Sequence, residues 1–237
     1  MIKQKESSGN FYENQTINSK NFFVSFSHRN RLKKSMKYII SSLKKGNLLD
    51  YGCGPGTFVS EVLKKKYKNI YGYEPFYKNI LDVNLPIYST LDALYSFAPF
   101  HTITVFEVFE HVFDSEIENI LNNCKQLLHT DGELIISVPI EIGPVLFVKE
   151  ISRFIRRKQW EYGFLEFIKA CFLGIAGERT LKGHIFANHK GFDFRKFIRF
   201  VQSLGWNVTI LSYGPLPIRC WYGNSQVYLH LKHKQNK

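Results

Sequence analysis

The chain of 237 residues is short of the features that staple or anchor a protein. It holds four cysteines, Cys53, Cys124, Cys171 and Cys220, and no two are spaced as CxxC. That pattern argues against a zinc site and against a disulfide framework, and it suits a reducing compartment. No apolar run reaches about 18 residues, so no membrane-spanning helix is expected. The first residues, MIKQKESSGNFYENQT, are polar and do not read as a signal peptide. A cytoplasmic location is the expectation, with peripheral contact at the inner membrane face as an addition. No internal repeat is visible. Acidic residues are also scarce, 20 against 32 Lys+Arg, which leaves a net charge of +12. The scarcity is uneven. Residues 1–47 hold 10 basic and 2 acidic residues, and residues 145–200 hold 12 and 5. Residues 201–237 hold 4 and none, whereas residues 48–144 hold 6 and 13. An acidic central segment between basic flanks points to an anionic partner such as phosphate, phospholipid or RNA, or to a solvated face.

What is present is concentrated in Asn47–Thr57, NLLDYGCGPGT. An apolar run ends in Asp50 and passes into Gly52, Gly54 and Gly56, after which Phe58–Lys66 reads as a helix. Glycines in such a turn allow positive φ and let a ligand approach the main chain. The next apolar run ends in Glu74, about 20 residues after the turn, a spacing that suits a carboxylate accepting hydrogen bonds from a ribose diol. Upstream, Leu32, Met36, Ile39, Ile40 and Leu43 recur at helical spacing. Downstream, the readings are strands at Ile70–Glu74, Pro86–Tyr88, Thr102–Phe106 and Glu133–Val138. A helix capped by Asp114 runs to about His129 and is followed by an Asp131-Gly132 turn. A second helix is capped by Asp193 and ended by Gly205, and two last strands follow at Trp206–Tyr213 and Ser225–Lys232.

The blocks LLDYGCGPGTF, YGYEP, VFEVFEHV and LLHTDGELIISVP resemble, in order and spacing, the class I S-adenosylmethionine (SAM)-dependent methyltransferases. The resemblance covers residues 47–139, is weaker over 184–232 and is absent over 140–183. It implies an α/β fold: a Rossmann-like, doubly wound, seven-stranded sheet with an antiparallel last strand, helices on both faces and an inserted helical lid. It also implies SAM as cofactor. Asp50 would anchor the glycine loop near the SAM amino group, Phe106 would contact SAM through its backbone, and Arg31 would meet the SAM carboxylate, with Arg29 as the alternative. The adenine would lie near Ser89–Asp92. Family members often carry an aspartate where this chain has His101, so hydrogen bonding there is expected to differ.

The chain divides into an N-terminal arm and helix (1–46), a SAM-binding core (47–139), a helical lid (140–190) and a C-terminal part completing the sheet (191–237). In the lid, Phe147, Val148, Ile151, Phe154 and Ile155 recur at helical spacing beside Lys149, Arg153, Arg156, Arg157 and Lys158. Phe164, Leu165, Ile168, Phe172 and Ile175 do the same after Trp160 and Tyr162. Such helices suit either packing on the core or an anionic membrane surface.

Methyl transfer to a hydroxyl gains from a base within hydrogen-bond reach. His111 and Glu107 follow the fourth strand and are the expected catalytic pair, with Glu110, His184 and His189 as further candidates. If the turn after that strand is helical, Glu107, Glu110 and His111 share a face and could bind Mg²⁺ or Mn²⁺ with His184 or His189. The main reading includes no metal. The segment GHIFANHKGFDF after SVPIEIGP resembles methyltransferases of envelope-polysaccharide genes, and ubiquinone-pathway enzymes are also similar. The expected function is O-methylation of a small-molecule, saccharide or lipid-linked acceptor. RNA methylation, or SAM binding without turnover, is the alternative. No NPPY or DPPY motif follows the fourth strand, which weakens base N-methylation.

Overall fold

The computed structural model describes residues 22–40, 46–75, 84–158, 160–182, 185–186 and 188–233. The elements are α1 (Phe22–Ile39), β1 (Leu48–Tyr51), α2 (Thr57–Lys64), β2 (Ile70–Tyr73), β3 (Ile87–Tyr88) and β4 (Phe100–Phe106). They continue with α3 (Asp114–Leu127), β5 (Leu128–Pro139), α4 (Pro144–Arg157) and α5 (Phe164–Phe172). The last are β6 (Leu181–Lys182), β7 (Ile185–Phe186), α6 (Phe194–Ser203), β8 (Trp206–Gly214) and β9 (Gln226–His233). Seven strands hydrogen-bond in the order β3-β2-β1-β4-β5-β9-β8, while β6 and β7 form a separate pair. β1 runs parallel to β2 and β4, and β9 runs antiparallel to β8. This is the expected class I, Rossmann-like sheet with a reversed last strand.

The chain forms two compact units, one of residues 1–106 with 124–135, the other of residues 107–123 with 136–237. In the first, β1 is buried along its whole length, as a central parallel strand with both faces covered must be. Leu48 and Ile70 of the strands meet Phe58, Val59 and Val62 of α2 and Met36 and Ile39 of α1 in one apolar cluster. Each fully buried aliphatic side chain of this kind contributes about 1.5–3 kcal/mol. Ile40 stays largely exposed, and Leu43 lies outside the described residues. His101 stacks on His129 with ring centroids 4.6 Å apart, an apolar contact where an aspartate was the family expectation.

In the second unit, Asp193 caps α6 by accepting from the Arg195 N–H at 3.0 Å, and Gly205 closes it in the left-handed region, both as expected. Two boundaries move. Asp114 is the first residue of α3 rather than its cap, because the Glu116 carboxylate reaches back to the Phe113 N–H at 2.8 Å. β5 begins at Leu128, so Asp131 and Gly132 lie within it rather than ahead of it.

The two helices expected between residues 140 and 190 form, and most of the apolar side chains of both stripes are exposed. Leu146, Tyr162, Ala170 and Cys171 make the buried cluster. Phe147, Val148, Ile155, Phe164, Leu165 and Phe172 are exposed. Lys149 and Arg153, beside the apolar stripe in sequence, are drawn inward to the buried Glu141 and Glu150. A buried carboxylate without a cation is far costlier than an exposed phenylalanine, and that difference sets which face turns in.

Candidate functional site

In the first unit, the turn after β1 carries Gly52, Gly54 and Gly56 at φ 77°, 54° and 85°. At Gly56 a Cβ would lie 2.5 Å from Ile87 Cδ1, so both conformation and packing require glycine there. At Gly54 a Cβ would meet no described atom within 4 Å, and the main chain is open to a ligand. The turn is tied to the end of β2. Gly52 and Cys53 N–H groups donate to the Tyr73 carbonyl, and Gly54 N–H donates to Glu74 Oε2 at 2.9 Å. The glycine turn and the acid, about 20 residues apart in sequence, are thereby brought together as expected. A carboxylate has lone pairs enough to accept from a backbone N–H and from hydroxyl donors together.

Asp50 is buried in β1 and accepts a hydrogen bond from the Thr104 hydroxyl at 2.7 Å. Burial pushes its pKa up to about 7. The Thr104 bond opposes the rise, and the Glu74 charge adds to it. A cationic ligand group beside Asp50 would relieve both burial and repulsion, which fits the ammonium of SAM. Phe106 packs edge-on against Phe58 with centroids 5.2 Å apart, so its ring belongs to the core and its backbone is what a ligand could use. Arg31 is half-buried on α1. The Arg29 side chain lies outside the described residues. Ser89 and Asp92 are exposed on either side of the start of a 3-10 turn, and neither is singled out as an adenine partner.

In the second unit, Glu107 follows β4 with φ 58°, an unusual value for a side chain of this size. Its carboxylate accepts from Gln226 Nε2 at 2.6 Å and faces the Ser137 hydroxyl at 3.5 Å, while Tyr228 donates to Gln226 at 2.9 Å. The turn is therefore not the helix that would align Glu107 with Glu110 and His111. A 3-10 turn spans Phe109–His111 instead. Glu107 is committed to a polar network that fixes the loop.

His111 and Glu110 are joined by His189. Oxygen and ring-nitrogen atoms of the three lie within 4.8 Å of one another. Glu110 is fully buried. Its Oε1 is 3.6 Å from His189 Nε2 and 4.0 Å from His111 Nε2. His111 Nδ1 lies 3.0 Å from the Phe186 carbonyl. A carbonyl only accepts, so Nδ1 carries the proton and the Nε2 lone pair is left available. Burial lowers the His111 pKa; the Phe186 bond and the Glu107 charge work against that fall, and His189 and Arg179 add to it. The ring is accordingly neutral at pH 7. His189 Nδ1 faces Glu141 Oε1 at 3.6 Å. Glu141 is buried, which alone would raise its pKa, but Lys149 and Arg153 hold it well below the usual carboxylate range. His184 lies outside the described residues.

Glu141, Phe186 and Arg179 were not legible as site residues. Phe186 holds His111 through its backbone, and Arg179 donates to the Glu110 carbonyl while stacking over the Phe186 ring at 3.4 Å. Backbone acceptors leave no trace in side-chain identity. Glu141, in contrast, carried one available signal, a charge inside the apolar run Val138–Val145.

The model of a family described as methyltransferase domain matches residues 26–176. No curated protein matches the sequence. Solved structures share the fold. Protein PH0226 from Pyrococcus horikoshii OT3 is 15% identical with a TM-score of 0.55, over 95% of this chain and 97% of that one. Magnesium protoporphyrin IX methyltransferase from Synechocystis PCC 6803, solved with bound SAH, is 12% identical with a TM-score of 0.54, over 96% of each chain. A SAM-dependent methyltransferase from Archaeoglobus fulgidus is 11% identical with a TM-score of 0.52, over 89% of this chain and 99% of that one. At such identities the likeness speaks to fold.

Proposed function

The chain belongs to the methyltransferase-domain family and is a class I SAM-dependent methyltransferase, and from that premise we propose that it O-methylates a small-molecule, saccharide or lipid-linked hydroxyl with His111 as the base. SAM supplies a methyl group on a sulfonium. The acceptor oxygen forms the new bond to that methyl carbon as the carbon–sulfur bond breaks, and the hydroxyl proton must leave. His111 Nε2 takes it. The observation that carries this reading is the His111 ring held by the Phe186 carbonyl, which accepts from the Nδ1 proton and leaves Nε2 as the acceptor. The Glu110 carboxylate, 4.0 Å from Nε2, stabilises the imidazolium that forms, and its contact with His189 holds it in place. Glu107 serves by position, holding the loop through Gln226 and Ser137. Cofactor binding is proposed for Gly52, Gly54, Gly56, Asp50, Glu74, the Phe106 backbone and Arg31. The fourfold division at residues 46, 139 and 190 is kept as a functional proposal.

A second reading is favoured by the convergence of Glu110, His111 and His189. Two imidazoles and a carboxylate suit a divalent cation, and the Nδ1 contacts to Phe186 and Glu141 would orient both rings. Alanine variants of His111 and His189, assayed at saturating SAM, test the base assignment. The expectation is that His111→Ala lowers kcat by about 10²–10⁴-fold, more than His189→Ala does, and a near-normal kcat would remove His111. Loss of activity in EDTA with recovery in Mg²⁺ or Mn²⁺ would replace the base reading with the metal one.

A further inference from the structure

We propose that the exposed face of α4 and α5 seats the protein on an anionic lipid surface. Val148 and Ile155 of α4, Phe164, Leu165 and Phe172 of α5, and Leu173 just after it are 62%, 68%, 78%, 71%, 69% and 67% exposed. Large apolar side chains exposed together along two neighbouring helices mark an interaction surface rather than ordinary solvent-facing scatter. Trp160, half exposed between the helices, stacks on Phe154 with centroids 5.0 Å apart. An amphipathic aromatic at the rim of an apolar face suits the boundary between headgroups and acyl chains.

Charge selects the occupant. The acidic residues of these helices and their connection are occupied by cations. Glu150 holds Arg153 at 2.6 Å, Glu161 lies 3.9 Å from Arg153, and Glu166 holds Lys190 at 2.7 Å. Lys158 and Lys169 are exposed. The charge offered beside the apolar face is thus positive, which complements anionic headgroups. A second copy of the chain would bring the same cations against it and is disfavoured by like charge. Lys149 and Arg153, spent on buried carboxylates, take no part in the surface. The proposal deepens the lipid-linked branch of the proposed function and rests on that reading for its catalytic meaning, but the binding itself is measured without turnover.

The test is co-sedimentation of the full chain with equimolar phosphatidylcholine–phosphatidylglycerol vesicles and with pure phosphatidylcholine vesicles, at low and high salt. The wild type is expected to bind the anionic vesicles and to be released by salt. The Lys158→Glu/Lys169→Glu variant should bind at least about fivefold more weakly per reversed charge. The Phe164→Ser/Leu165→Ser/Phe172→Ser variant changes only exposed side chains and should lose binding while keeping its circular dichroism spectrum and SAM affinity. Absence of binding at low salt would overturn the proposal. So would binding that neither variant weakens, or a wild-type dimer that the serine variant dissociates without vesicle binding. Vesicle binding with no methyl transfer to any lipid extract would leave this proposal standing and sink the lipid-linked acceptor.

Discussion

Asp50 shows how one buried side chain sets opposing demands on stability and binding. Its pKa is about 7 in the fold and about 3.9 in an unfolded chain. Between those values the native state binds the extra proton. Its stabilising contribution is therefore complete below about pH 4, declines as pH rises, and is gone above about pH 7. Asp50→Asn keeps an acceptor for Thr104 and removes the charge. In cofactor-free protein at pH 8 it should raise the midpoint of thermal unfolding, by a free energy of no more than about 4 kcal/mol. It should also flatten the dependence of that midpoint on pH between about 4 and 7. The same variant should weaken SAM. A lower midpoint at pH 8 would show that Asp50 is held ionised by a cation of the protein instead. Glu74→Ala removes the carboxylate from the glycine turn and should weaken SAM by about 1.5–3 kcal/mol in calorimetry. Unchanged affinity in a folded variant would take Glu74 out of the site.

At the scale of elements, α4 is held by charge. Glu141, just ahead of it, contacts Lys149 and Arg153, with both Arg153 contacts at 2.9 and 3.0 Å. Removing one member of such a group strands the others in a low dielectric. Glu141→Gln should destabilise the protein by about 3–5 kcal/mol, read from urea unfolding at pH 7. Because the folded pKa lies below the unfolded value, the Glu141 contribution is full above about pH 4.3 and is lost as pH falls through the folded pKa. The variant should lose this component of the acid transition. Equal stability of variant and wild type at pH 7 would show that the network gives α4 its orientation without net stabilisation. The same substitution should raise KM or lower kcat through His189, whose Nδ1 faces Glu141.

For the whole molecule the open variable is the acceptor. Its basic segments at 145–200 and 201–237 could meet lipid, anionic glycan or RNA. Among the described residues no helix is long and apolar enough to cross a membrane. Incubation of the full chain with methyl-labelled SAM and separated lipid, glycan and RNA fractions should put label into lipid or glycan in a base-stable ether. Label confined to RNA would replace the proposed acceptor class. Anionic competitors should inhibit, and the inhibition should fall with salt, if the basic segments guide the acceptor.

The sequence by itself determined the cofactor half of this protein. Strand period, glycine turn and terminal acid are local or near-local features, and Gly54 and Glu74 meet because two adjacent parallel strands end together. It likewise determined both lid helices and the cap at Asp193, since helical spacing and capping act within a few residues. Only the tertiary structure decided which face of α4 turned inward and which residues surrounded His111. Lys149 and Arg153 show no partner in the sequence, and it is the burial of Glu141 beside them that gives them one. Glu107 reads as Glu110's helical neighbour until positive φ breaks the turn and Gln226, distant in the chain, takes its carboxylate. His189 joins Glu110 across a segment with no motif. Long-range electrostatics and backbone carbonyls fix these partners, and neither leaves a periodic mark on the chain that carries them.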